Sequence, residues 1–307
     1  MTEPTNSLSR RNIRLLVAYD GTGFHGWQRQ PLLSTVQACL EDAIGGIVSE
    51  PVKLYGSGRT DAGVHALGQV ANFATSCRIP CANLVRALND GLPSEVRVRE
   101  ADEVRLDFHA RYAARAKTYR YRILLADFCS PFLWRFVWHY PYALDRRRMA
   151  DAARLLAGTH DFTSFAASSA PEEDDAAQPK TGLRALSQGK EPVPGAAKRW
   201  PQGPSSGREH RESAGAGPSL EGEGKSMVRT VFASRLLWRE RTRILTYEVR
   251  GNGFLHHMVR NIMGTLVEVG RRKVRPGNVI QILEARDRSL AGPTAPAQGL
   301  CLVRVEY

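Results

Sequence analysis

Apolar side chains recur at Ile13, Leu15, Val17 and Tyr19, and this alternation predicts a strand over residues 12–19 with one face on a core, ending at Asp20-Gly21. Ser34 followed by Gln37 has capping-box spacing, and Val36, Leu40, Ile44 and Ile47 then fall on one face of a helix. Further strands are predicted over 52–57, 68–75 and 96–104, with a short helix over 80–89. Over 117–125, Tyr119, Tyr121, Ile123 and Leu125 share one strand face, while Thr118, Arg120 and Arg122 make the other face cationic. Asp145 can cap a helix that carries Met149, Ala153 and Leu156 on one side and is stopped by Gly158. Strands over 228–238 and 244–250 precede a long helix from about Phe254, striped by Leu255, Met258, Ile262, Leu266 and Val269, and a closing strand over 299–307. Helices and strands mix without strict alternation. That order favours an α+β fold with largely antiparallel sheets, divided into an N-terminal half at 10–115 and a C-terminal half at 116–307.

Residues 171–226 break the pattern. They are dense in Pro, Gly, Ser and charge, show no apolar period, and read as a disordered, solvated insert in the second half. The chain of 307 residues carries a net charge of +12, whereas the insert holds 8 basic and 9 acidic residues, so the basic excess belongs to the remainder. Such a bias attracts a polyanion through its phosphates and puts nucleic acid first among partners. The five cysteines are scattered, lack CxxC pairs or nearby histidines, and read as reduced cytosolic thiols with no metal site. No stretch approaches the roughly 20 apolar residues that cross a bilayer, and the N-terminus has no apolar leader core. The expectation is a soluble, cytoplasmic protein without a membrane contact.

The most unusual stretch is Tyr55-Gly56-Ser57-Gly58-Arg59-Thr60-Asp61-Ala62-Gly63-Val64-His65-Ala66, which follows a strand. Small residues on both sides of Asp61 let another backbone or a planar ligand come close, and Arg59 can keep a carboxylate ionised or grip a phosphate. Two readings stand together: a housed, reactive carboxylate, or a turn in which Asp61 bonds its own backbone. The loop lacks the Walker lysine spacing and a GxGxxG pattern, which argues against a nucleoside triphosphate site.

The segment Gly58-Arg59-Thr60-Asp61-Ala62-Gly63-Val64-His65-Ala66 resembles the active-site signature of the tRNA pseudouridine synthase A family. Tyr19-Asp20-Gly21-Thr22-Gly23-Phe24-His25-Gly26-Trp27-Gln28, Thr35-Val36-Gln37, Lys117-Thr118-Tyr119-Arg120-Tyr121, Gly158-Thr159-His160-Asp161-Phe162-Thr163-Ser164-Phe165, Phe254-Leu255-His256-His257-Met258-Val259-Arg260-Asn261 and Gly299-Leu300 resemble further family segments in the same order. The resemblance implies two similar α/β halves around a central basic cleft. It also implies a reaction without cofactor or metal that turns uridine into pseudouridine, with tRNA as substrate, positions 38–40 of the anticodon stem-loop as target, and a homodimer. It casts Asp61 as nucleophile, attacking either the ribose C1′ or the uracil C6. Tyr119 becomes the aromatic that stacks on the extruded base, a role periodicity alone leaves open between Tyr119 and Tyr121. Arg260 becomes the partner of the nucleophile. Arg59 either contacts the flipped nucleotide or a phosphate, or braces the loop. His65, His256 and His257 are read as core or RNA-backbone residues, because adjacent histidines on a helix point in different directions. Trp27 and Gln28 either touch RNA or pack locally. A non-catalytic RNA-binding protein and a hydrolytic N-glycosidase are the competing readings.

Overall fold

The computed structural model describes residues 10–167 and 226–307, so the predicted insert at 171–226 lies, except for Ser226, outside the described residues. The elements run β1 (Arg11–Tyr19), α1 (Val36–Val48), β2 (Tyr55–Gly56), β3 (His65–Thr75), α2 (Cys81–Gly91), β4 (Val96–Val104), β5 (Ala116–Leu124), β6 (Trp138–His139), α3 (Arg146–Arg154), β7 (Gly158–Asp161), β8 (Val228–Arg239), β9 (Ile244–Gly251), α4 (Met258–Gly270), α5 (Asn278–Ala285) and β10 (Leu300–Glu306). The strands join in one sheet of order β4-β1-β3-β10-β5-β9-β8-β7, with β2 added to β3 and β6 to β5. The architecture is therefore the expected α+β one. Most pairings are antiparallel, and among the described residues only β10 with β3 and β6 with β5 run parallel.

Alternation sets which face is covered. Ile13, Leu15, Val17 and Tyr19 of β1 and Tyr119, Tyr121 and Ile123 of β5 are buried, joined by Val36, Leu40 and Ile44 of α1 and by Met258, Ile262, Leu266 and Val269 of α4 in one core. The opposite face keeps its charge in pairs. Arg120 meets Glu248 at 3.0 Å, and Arg250 meets Glu306 at 2.6 Å. The chain's last strand sits mid-sheet between β3 and β5, so the N-terminal strands and the later ones share a continuous ladder across residue 115.

Several boundaries differ from those predicted. Thr35, not Ser34, caps α1, its Oγ1 accepting from the Ala38 amide, because the chain before Thr35 is still bonding to the 25–27 loop. Only Tyr55 and Gly56 of the predicted 52–57 strand pair with β3, since Leu54 donates instead to the Glu41 carboxylate. Helix α4 starts at Met258 rather than Phe254, because His257 adopts φ +58°. All five cysteines are free thiols, and no helix among the described residues is long and apolar enough to cross a membrane.

Candidate active site

The stretch between β2 and β3 is fastened along its length by side chains of other elements. The Ser57 hydroxyl donates to Gln69 Oε1 at 2.7 Å, and Gln69 Nε2 donates to the Gly58 carbonyl at 3.0 Å. Thr60 Oγ1 lies 2.9 Å from the Tyr19 hydroxyl, and the Thr60 carbonyl accepts from the Trp27 amide at 3.0 Å. The 21–28 loop lies on top of this stretch. A Cβ on Gly26, at φ +82°, would sit 2.6 Å from the Thr60 carbonyl oxygen, so only glycine allows the two backbones to meet there. Trp27 is buried against Gly56, where a Cβ would reach within 2.6 Å of the indole. Of the two roles open for Trp27, packing is the one observed. Gln28 accepts from Arg59 Nε at 3.1 Å.

Held in this way, Asp61 meets groups some 200 residues away along the chain. Arg260 Nη1 donates to Asp61 Oδ2 at 3.0 Å. The same guanidinium donates through Nε to the Ala295 carbonyl at 2.8 Å, while the Ala295 amide bonds the Arg260 carbonyl. That strap crosses α4 so closely that a Cβ on Gly264 would overlap the Pro293 carbonyl, and Thr294 Oγ1 ties it to Asn261 Oδ1 at 2.7 Å. Two fixed hydrogen bonds thus orient a planar fork toward one carboxylate oxygen, the geometry in which arginine is most directional.

For His256 and His257 the structure departs from the helical placement on which the sequence reading relied. His256 Nε2 lies 3.5 Å from Asp61 Oδ1, and His257 Nε2 lies 3.5 Å from Oδ2. Both precede α4, so the helical argument that adjacent histidines diverge does not apply. The left-handed φ of His257 turns successive side chains to one side, and the two rings lie 4.0 Å apart. The ligand atoms of Asp61, His256 and His257 fall within 4.8 Å of one another, a grouping a cation could also use, in competition with the guanidinium already on Oδ2. Sequence spacing hid this set because its members come from two distant segments. The adjacent histidine pair was the available signal.

Tyr119 is buried in β5, meets Phe254 edge-on at 5.1 Å, and makes no hydrogen bond with the described residues through its hydroxyl. Burial, then the neighbouring Tyr19 and the Asp61 charge, raise its phenol well above the ordinary range. Tyr121 has a different environment. Its hydroxyl donates to the Pro296 carbonyl at 2.6 Å and its ring lies against Gly299, which marks it as packing. The two tyrosines, alike in periodicity, therefore differ in their neighbours and hydrogen bonding. Arg59 is exposed and turned to Gln28, outside the Asp61 ion pair. His65 is buried behind the loop: its Nδ1 accepts from the Gly21 amide at 3.0 Å, and its Nε2 faces the Arg135 and Gln298 carbonyls at 2.8 and 3.2 Å.

A carboxylate ion-paired to a fixed guanidinium, with its charge acting on a buried phenol, is equipped to act as a nucleophile or base toward a flat ligand. A family model described as tRNA pseudouridine synthase matches residues 15–113 and 217–307. The chain belongs to the tRNA pseudouridine synthase family. Asp61 and Arg260 fall within the matched stretches, and Tyr119 lies just past the end of the first. Curated relatives named tRNA pseudouridine synthase A are similar over nearly the whole chain. One from Solibacter usitatus is 46% identical over 298 residues, covering 97% of this chain and all of the relative. One from Acetivibrio thermocellus is 40% identical over 297 residues, again 97% of this chain and all of the relative. A third, from Thermoanaerobacter sp. strain X514, is 38% identical with the same coverage.

Proposed function

We propose that this enzyme isomerises uridine to pseudouridine in tRNA, with the Asp61 carboxylate as nucleophile. The observation that carries the reading is the 3.0 Å pair between Arg260 and an Asp61 side chain only 17% exposed, whose charge acts on the buried Tyr119 phenol. The reaction breaks the bond between uracil N1 and ribose C1′, turns the base, joins C5 to C1′, and moves a proton from C5 to N1. Composition is unchanged, so the balance calls for no oxidant or co-substrate. Asp61 attacks C1′ or C6, with the Arg260 guanidinium fixing one of its oxygens in place. Tyr119 offers a ring to the extruded base, worth about 1–3 kcal/mol by stacking. Arg59, on the rim, contacts the flipped nucleotide or its phosphate. His256 and His257, at both Asp61 oxygens, enter the proton inventory of the site.

The names of the relatives support tRNA as substrate, and the family resemblance supports the anticodon stem-loop, positions 38–40, as target. The same resemblance supports a homodimer, a cytoplasmic setting, and walls of the cleft drawn from the two halves, 10–115 and 116–307. Unmodified tRNA transcripts incubated with the protein, then mapped for pseudouridine by carbodiimide primer-extension stops, test the reading. Wild type gives new stops in the anticodon arm, and Asp61→Ala gives none, a loss of at least about a thousandfold. Free uracil in place of stops would assign hydrolysis instead, and equal inactivity of both preparations on tRNA would favour a binding protein.

A further inference from the structure

Two positions before Tyr119, on the same face of β5, stands Lys117. Its ammonium donates to the Ser57 carbonyl at 2.6 Å, at the start of the catalytic loop. It reaches that point because residue 58 is glycine: a Cβ there would lie 2.9 Å from Nζ. Its partners across the sheet, Gly251 of β9 and Val305 of β10, carry no charge. The charged groups that act on it are Arg111 and Arg229, both of its own sign. None of the ion pairs among the described residues includes it, whereas Arg120 and Arg250 on the opposite face of the same strands are each neutralised by a glutamate. Burial first, and then the two arginines, push the Lys117 pKa down to about 8. A partly buried cation with like charges around it and one carbonyl for a partner is costly in the free protein. An arriving anion would relieve that cost.

The surroundings indicate where the anion would lie. Arg229 runs past Gly253, its Cδ and Nε 3.6 Å from a Cβ placed there. Gly253 precedes Phe254, the residue that meets Tyr119 edge-on. The cationic group therefore borders both the catalytic loop and the loop that closes on Tyr119. We propose that Lys117, flanked by Arg111 and Arg229, forms a phosphate subsite that takes a backbone phosphodiester adjoining the uridine held over Asp61. This inference rests on the isomerase reading for the identity of the RNA. Lys117 itself is a positioning residue: it fixes the nucleotide by its phosphate and leaves the base to Asp61 and Tyr119.

The test compares wild type with Lys117→Met and Lys117→Arg on unmodified tRNA transcripts, measuring Kd, KM and kcat. Lys117→Met is expected to weaken binding about tenfold and to reduce the slope of log affinity against log salt by about one, with kcat little changed. Lys117→Arg restores both. Because the bound phosphate favours the protonated amine, wild-type affinity should fall as pH rises through about 8, and Lys117→Arg should show no such fall. A stem-loop with a neutral methylphosphonate on one side of the mapped uridine should bind Lys117→Met and wild type alike, since the charge that Lys117 meets is gone. Wild-type Kd, salt slope and pH profile in Lys117→Met would overturn the subsite, as would a loss of kcat alone, which would make Lys117 a brace for the Ser57 carbonyl. The two readings fail separately. If wild type forms pseudouridine while Lys117→Met binds normally, only the subsite falls; if Lys117→Met loses phosphate-dependent affinity in a protein that forms no pseudouridine, only the isomerase reading falls.

Discussion

Asp20 and Asp61 each stand with a histidine and an arginine, and their side chains are almost equally covered, 16% and 17% exposed. Asp20 lies 3.2 Å from His65 Nδ1 and 3.5 Å from Arg135, while Asp61 lies 3.0 Å from Arg260 and 3.5 Å from each of two histidines. Composition and burial do not distinguish them; what each carboxylate does locally does. Asp20 accepts from both the amide and the hydroxyl of Thr22, two residues on, so it serves its own turn. Burial alone would raise its pKa, yet the Thr22 bonds, His65 and Arg135 together hold it below the usual carboxylate range. Among the described residues, Asp61 takes no side-chain bond from its own loop, and its side-chain partners come from residues 256–260. Its histidines lie beside a part-exposed carboxylate. His65, by contrast, has Nδ1 committed to the Gly21 amide and Nε2 to two carbonyls, which makes Nε2 the protonated nitrogen and the ring neutral. One cluster closes a local turn and the other joins two segments far apart along the chain.

Mutations should separate the clusters by readout. Arg260→Ala removes the fixed guanidinium and is expected to cost about 3 kcal/mol in transition-state stabilisation, over a hundredfold in kcat/KM. Arg260→Lys should recover only part, since an ammonium cannot bond Ala295 and Asp61 with one planar fork. If Arg260→Ala kept wild-type turnover, the ion pair would be structural and the contrast with Asp20 would vanish. Next in size, His65→Ala leaves the Gly21 amide and the Arg135 carbonyl without a partner and should lower stability by about 2 kcal/mol in chemical denaturation. The folded fraction should keep its kcat.

His256→Ala and His257→Ala should show the reverse pattern. About a tenfold loss in kcat/KM, or 1.4 kcal/mol, is expected, with the thermal midpoint unmoved. A shifted midpoint with intact kcat would place them with His65. The smallest effect is the pH dependence of stability. Burial holds the His65 pKa below its ordinary 6.5, so the unfolded chain takes up that proton first as pH falls. Stability contributed by neutral His65 is complete above pH 6.5 and declines below it, by less than about 1.4 kcal/mol per pH unit. The depressed Asp20 adds a second decline below its ordinary 3.8. His65→Gln should flatten the first limb in denaturation curves between pH 5 and 7, and an unaltered limb would mean that other groups carry it.

How far the sequence could be read depended on whether a feature was local. Local sequence pattern placed β1, β4, β5, β8 and β9 to within a residue or two, and in β1 and β5 the signal was the alternation of a strand with one covered face. Asp145 capped α3 as its position indicated, its carboxylate accepting from the Arg148 amide. The short β2 and the true start of α4 were not legible, since each depends on a distant competitor: the Glu41 carboxylate on Leu54 in one case, the αL turn at His257 in the other.

By itself, then, the chain determined its alternating strands, its amphipathic helices, the small residues that bare Asp61, and the motifs that mark its family. Only the tertiary structure decided that β10 would lie between β3 and β5, that Tyr121 and not Tyr119 would bond the Pro296 carbonyl, and that both histidines would converge on Asp61 with Arg260. The reason is physical. Side-chain period and capping act over a few residues, whereas an ion pair spanning 199 positions exists only once the sheet has closed and the 292–295 strap has aimed the guanidinium.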